Sequence, residues 1–170
     1  KSWVESANDP ASDFPIQNLP LCTYLEHIPE NTGDNLCVGV RIGDCILDLR
    51  AVVELDLIRQ VMPGDRNTWR SAQSLFGNPL RIRSLLRFDE APGFFSSLRI
   101  ALSRILTAGF GEFSERDAIK SRLLVPAAKV PLTRSFDCPN YTDFYASIHH
   151  ATNVGSMFRP DNPLLPNYKW

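Results

Sequence analysis

Between Asn140 and Asn153 the chain reads N-Y-T-D-F-Y-A-S-I-H-H-A-T-N. The stretch joins clustered aromatics, a carboxylate and paired histidines, and it contains no proline. Asp143 is enclosed in sequence by Tyr141, Phe144 and Tyr145. A carboxylate buried among rings is costly unless it is paired or metal-bound. As extended chain, Tyr141, Asp143 and Tyr145 share one face and Thr142 and Phe144 the other. One face then carries two phenols and an acid, which suits the wall of a polar pocket. Ser147 fits a helix N-cap. Beyond it His150, Val154, Met157 and Phe158 recur at helical spacing. His150 falls in the first turn, within reach of whatever Asp143 holds.

Each residue also has a plainer reading. An Asp ahead of a helix is more often a cap than a metal ligand. A lone helical histidine is more often structural than a general base. His149 and His150 are adjacent, so on a helix they point about 100° apart and cannot chelate one ion together. Arg159, at the end of this helix, could simply favour the helix dipole.

The order of motifs shifts these odds. Asn140–Tyr145, then His150–Gly155, Met157–Arg159 and Leu164–Asn167, resemble the fumarylacetoacetase run D-Y-T-D-F-Y-S-S…H-A-T-N-V-G…M-F-R…L-L-P-N-W. Near the start, Asp13–Pro20 is similar to that family's D-F-P-I-Q-N-L-P. Val38–Asp44 with Ile46–Leu49 resembles its G-V-A-I-G-D-x-I-L-D-L. The three blocks come in the family's order and span most of the chain. The stretch from Arg50 to Leu123 resembles the family only loosely.

The resemblance implies an α+β, mostly β protein. A small SH3-like-barrel N-terminal domain with helices would be followed by the start of a mixed β-sandwich roll that catalyses and dimerises. It implies metal-dependent hydrolysis of a carbon–carbon bond in 4-fumarylacetoacetate, yielding fumarate and acetoacetate, the last step of tyrosine breakdown. Carried over by motif, Asp143 matches a metal carboxylate for Mg²⁺ or Ca²⁺, and His150 matches the base that activates water. Tyr145 and Arg159 match substrate-binding residues. The family's Glu-x-Glu pair, its later Asp and the acid that orients the histidine have no counterpart up to Trp170. The expectation is therefore a chain that is inactive alone and belongs to a homodimeric, cytoplasmic hydrolase. A non-catalytic binding module on the same fold is the alternative. A related acylpyruvate or β-diketone hydrolase is a third, disfavoured by the long segment before Asn140.

Bulk properties set the bounds. At 170 residues, one domain and the start of a second are expected. The boundary is placed between about Leu123 and Arg134, giving domains 1–130 and 131–170. A net charge of −1 offers no footprint for nucleic acid or an acidic membrane. No apolar run of about 18 residues, the length that spans a bilayer, occurs, and the polar, acidic opening leads to the expectation of no signal peptide. Cys22, Cys37, Cys45 and Cys138 form no C-x-x-C pair, which fits reduced thiols rather than a zinc site.

The elements that must position the site follow from patterning. Pro10, Pro15 and Pro20 make the first twenty residues an irregular arm anchored by Phe14, Ile16 and Leu19. Leu21–Leu25 suits a strand. Leu36–Ile42 and Cys45–Leu49 suit a hairpin about Gly43–Asp44. Asp48 can start the next element, with helical spacing from Ala51 to Val61 ended by Pro63–Gly64. Glu54 and Asp56 lie two apart, a poor chelate that reads as solvated. Asn67–Phe76 and Pro79–Phe88 read as short helices. Arg70, Arg81, Arg83 and Arg87 make a basic cluster, read as a solvated face balanced by acids elsewhere rather than an anion site. Pro92–Ala108 is the clearest helix, with the stripe Phe94, Leu98, Ala101, Leu102 and Ile105 and a stop at Gly109. Glu112–Lys120 reads as exposed, and Leu123–Pro126 and Val130–Leu132 as short extended pieces.

Overall fold

A computed structural model describes residues 1–27, 34–62, 64–76, 93–109, 117–135 and 140–169. The chain divides into two compact units, Lys1–Asp137 and Cys138–Trp170. The first unit holds β1 (Leu21–His27), β2 (Asp34–Ile42), β3 (Cys45–Asp48), α1 (Leu49–Glu54), α2 (Leu57–Val61), α3 (Arg66–Phe76), α4 (Phe94–Leu106), α5 (Asp117–Leu123), β4 (Leu124–Pro126) and β5 (Leu132–Thr133). The second holds α6 (Ile148–Phe158) and a short 3-10 turn, Pro166–Lys169.

The architecture is α+β, and the sheet among the described residues is open and antiparallel, in the order β4-β3-β2-β1-β5. The Gly43–Asp44 turn sets its register. Ile42 pairs with Cys45, Val40 with Leu47 and Gly39 with Asp48. Gly43 adopts φ +54°, a left-handed conformation that glycine enters without steric cost. Its N–H donates to Phe14 O at 2.7 Å, and a Cβ there would come within 2.6 Å of Ala7 N. The arm therefore closes over the hairpin turn.

Two expectations change. The helical pattern of 51–61 is two helices, broken at Leu55–Asp56, where Asp56 sits at φ +55°. Asp tolerates this left-handed region better than most residues, so the apolar period continues through a break in the backbone. The arm is also more built than its prolines suggest. Its anchors hold, with Leu19 buried and Phe14 and Ile16 half-buried. Ahead of the first proline, though, Glu5–Asn8 forms a 3-10 turn that buries Val4 and Ala7. Trp3 Nε1 donates to Ile105 O at 2.7 Å, and Ser2 bridges to Thr107, tying the terminus to the end of α4.

The predicted stripe of α4 is buried throughout and packs in one cluster with Val40, Ile42, Leu47, Val52 and Ile58. Gly109 follows at φ +75°. Of the segment Glu112–Lys120 read as exposed, residues 112–116 lie outside the described residues and 117–120 open α5, whose Arg122 reaches Glu54 on α1 at 3.7 Å. Arg70 is exposed on α3, while Arg81, Arg83, Arg87 and the expected helix Pro79–Phe88 lie outside the described residues. No helix among the described residues is long and apolar enough to cross a membrane.

Candidate functional site

All four site residues expected from the sequence fall in the second unit: Asp143 and Tyr145 ahead of α6, His150 in its first turn and Arg159 at its C-cap. Ser147 has extended backbone, and its Oγ accepts from His150 N at 3.4 Å, so it is the N-cap the sequence pointed to. α6 stops at Phe158 because Arg159 precedes Pro160, whose ring disfavours helical backbone in the residue before it. A turn follows, closed by Asn162 N donating to Arg159 O at 3.1 Å.

The buried face of α6 differs from the expected stripe. Ala151 and Gly155, four residues apart, face inward. Met157 and Phe158 are 71% and 76% exposed. Small residues occupy the inner face because the chain after the helix folds back against it. A Cβ on Gly155 would collide with the Pro163 carbonyl.

This fold-back leaves a cleft of about 770 Å³ whose walls include Asp143, Tyr145 and Arg159. Ala151, Val154, Leu164 and Leu165 supply apolar surface, and Asn167 and Tyr168 polar surface. The structure therefore brings three of the four site residues to one cavity. His150 is not among the side chains that line it. Its ring lies beside the Tyr145 ring, with centroids 5.2 Å apart and planes inclined at 48°. Tyr145 links the histidine to the cleft.

The expectation of a buried carboxylate is corrected. Residues 140–150 are exposed, with Tyr141 at 86% and Phe144 at 82%, and 140–147 form no regular strand. Asp143 stays in water, so the desolvation argument for a compulsory partner lapses. No group of three or more His, Cys, Asp or Glu side chains among the described residues is placed to hold an ion. A hard divalent cation takes six or more oxygen ligands. Asp143 offers one carboxylate, so the described residues alone do not fit Mg²⁺ or Ca²⁺.

Sequence reasoning missed three contributors. Tyr168 donates from its hydroxyl to Tyr145 O at 3.2 Å, tying the 3-10 turn to the segment before α6. Pro163 O accepts from Arg159 Nη2 at 3.3 Å. Gly155 admits that carbonyl. The only sequence signal was a glycine inside a helix, where it costs about 1 kcal/mol relative to alanine and so asks for a reason.

No family model matches the chain. Curated relatives do. The chain is 33% identical over 172 residues to a fumarylacetoacetase of Caenorhabditis elegans, covering 100% of this chain and 37% of that protein. It is 33% identical over 178 residues to one of Oryza sativa subsp. japonica, with 99% and 36% covered. It is 31% identical over 169 residues to one of Homo sapiens, with 98% and 36% covered. The resemblance carried by three motif blocks thus extends along the whole chain. The chain spans a little over a third of the length of these relatives.

Proposed function

We propose, from this whole-length likeness to fumarylacetoacetases, that the chain is part of a hydrolase that splits the carbon–carbon bond of 4-fumarylacetoacetate. The observation that carries the reading is the cleft on which Asp143, Tyr145 and Arg159 converge, with His150 against the Tyr145 ring. The guanidinium of Arg159 suits a substrate carboxylate, which it can meet in two-point geometry. The phenol of Tyr145 can donate to a substrate oxygen. His150 carries an imidazole that can accept a proton from the attacking water. Water then adds to the carbonyl next to the bond to be broken. The electron pair of that bond leaves with the acetoacetate fragment, which regains a proton at carbon, and the other product is fumarate.

Asp143 would be one oxygen ligand among several for a divalent ion. The remaining ligands are not among the described residues. The SH3-like barrel, the sandwich roll, the domain division at 130/131, dimerisation and a cytoplasmic setting belong to the same proposal. A non-catalytic binding module is the second reading, favoured by the exposure of His150 and of the aromatic residues around the cleft.

Turnover of fumarylacetoacetate separates the two. The 170-residue chain alone is expected to show none, and the full-length protein with Mg²⁺ or Ca²⁺ present to be active. A full-length protein that binds the substrate without consuming it would favour the module. Turnover by the purified 170-residue chain would overturn the division of the site.

A further inference from the structure

One carbonyl sits at the centre of the second unit. Pro163 O accepts a hydrogen bond from Arg159 Nη2 at 3.3 Å. The same carbonyl lies on α6 at Gly155, where an added Cβ would also come within 2.8 Å of the Pro163 carbonyl carbon and 3.1 Å of its Cα. Those neighbours are backbone, so they cannot swing aside as the end of a long side chain would. Gly155 needs no left-handed conformation, since it lies inside a regular helix without a positive φ. Close approach is therefore the physical use of this glycine, and it outweighs the roughly 1 kcal/mol of helix propensity that glycine forgoes.

We propose that Gly155 is a positioning residue for carboxylate binding. The side chain it lacks lets the Pro163 carbonyl dock on α6, and that carbonyl holds the Arg159 guanidinium at the cleft. The inference rests on reading Arg159 as a carboxylate-binding residue. It adds that the turn from Pro160 to Leu164 sets where the arginine presents its charge. Arg159 gives one N–H to Pro163 O and keeps the rest of its donor fork for an anion. A guanidinium fixed in this way loses less side-chain entropy on binding than a free one.

The test uses the 170-residue chain labelled with ¹⁵N-arginine and titrated with fumarate. The Arg159 side-chain resonance is assigned by its loss in Arg159→Lys. In the wild-type chain it is expected to shift saturably with fumarate. In Gly155→Ala it should move before any fumarate is added, and the apparent Kd should rise about five-fold or more, with the far-UV spectrum retained. Pro163→Gly adds no atom to the helix but loosens the turn, and should weaken binding in the same direction. In the full-length enzyme Gly155→Ala should raise KM and leave kcat within about two-fold, a split that general unfolding would not produce. If the wild-type chain binds and both variants keep its affinity and its Arg159 resonance, the positioning role is overturned while the carboxylate reading stands. Should Gly155→Ala fail to fold, unchanged affinity in Pro163→Gly overturns it equally. No fumarate-dependent shift in the wild-type chain would instead remove Arg159 as a carboxylate site, and the inference with it.

Discussion

The Tyr24 hydroxyl donates a 2.8 Å hydrogen bond to Asp48 Oδ2, and both side chains are buried. The other carboxylate oxygen of Asp48 caps α1, accepting from Arg50 N at 2.7 Å and Ala51 N at 3.1 Å. One acid thus fastens strand β1 to the start of the first helix. Burial, and then the neighbouring Asp48, push the Tyr24 phenol well above its ordinary value, so it remains a donor. Tyr24→Phe keeps the ring and removes the donor. A buried acceptor left without its partner costs about 1–3 kcal/mol. Urea unfolding should show a lower midpoint with an unchanged slope. A midpoint matching wild type would mean that Asp48 finds another donor.

Asp65 ties down the start of α3. Thr68 N donates to its Oδ1 at 2.9 Å and Thr68 Oγ1 to its Oδ2 at 2.7 Å. These bonds, the backbone one first, hold the Asp65 carboxyl below its usual range. The folded value lies below the unfolded one, so protons bind more readily to the unfolded chain. The contribution is complete at neutral pH and is lost as pH falls through the folded value. Asp65→Ala should cost about 1 kcal/mol at pH 7, the usual value of a cap. The difference from wild type should narrow below about pH 4. A penalty of the same size at pH 7 and pH 3 would show that the carboxylate charge plays no part.

Burial raises the thiols of Cys22, Cys37 and Cys45 to about 11. Only the thiolate is nucleophilic, so at pH 8 each should react roughly a hundred-fold more slowly than a thiol of ordinary pKa. Iodoacetamide labelling read by peptide mass spectrometry should show slow modification at these three positions in the native chain, and rapid modification in denaturant. Fast native labelling of Cys37, which is buried, would mean that the β1–β2 pairing opens often.

Much of this was readable from one-dimensional pattern. The Gly43–Asp44 hairpin, the α4 stripe, the Asp48 start and the Ser147 cap each depend on residues a few positions apart, which local spacing reports. The break at Asp56 was missed because apolar period does not register a left-handed residue. The depth of Val4 and Ala7 was missed because it comes from contacts with residues far along the chain. At the candidate site, motif order singled out Asp143, Tyr145, His150 and Arg159 as expectations but could not give their burial. An acid flanked by rings in sequence need not be enclosed by them in space, and Asp143 is not. Gly155 and Pro163 meet through a turn, so neither residue alone announced the contact.

His150 offers the cleanest separation of chemistry from stability. Its side chain is exposed, and its ring centroid lies 5.2 Å from that of Tyr145 with the planes tilted by 48°. Its role in the helix cap belongs to its backbone N–H, which alanine keeps. His150→Ala should therefore change unfolding free energy by no more than about 0.5 kcal/mol, as exposed substitutions usually do. If the imidazole is the base, turnover by the full-length enzyme should fall by about 10²–10⁴-fold, the range general-base catalysis supplies. His149→Ala is the matched control. One residue earlier on the helix, it points about 100° away and should leave the rate close to wild type. Equal losses in the two variants would indicate a shared effect on the start of α6, and a wild-type rate in His150→Ala would move the base elsewhere in the protein.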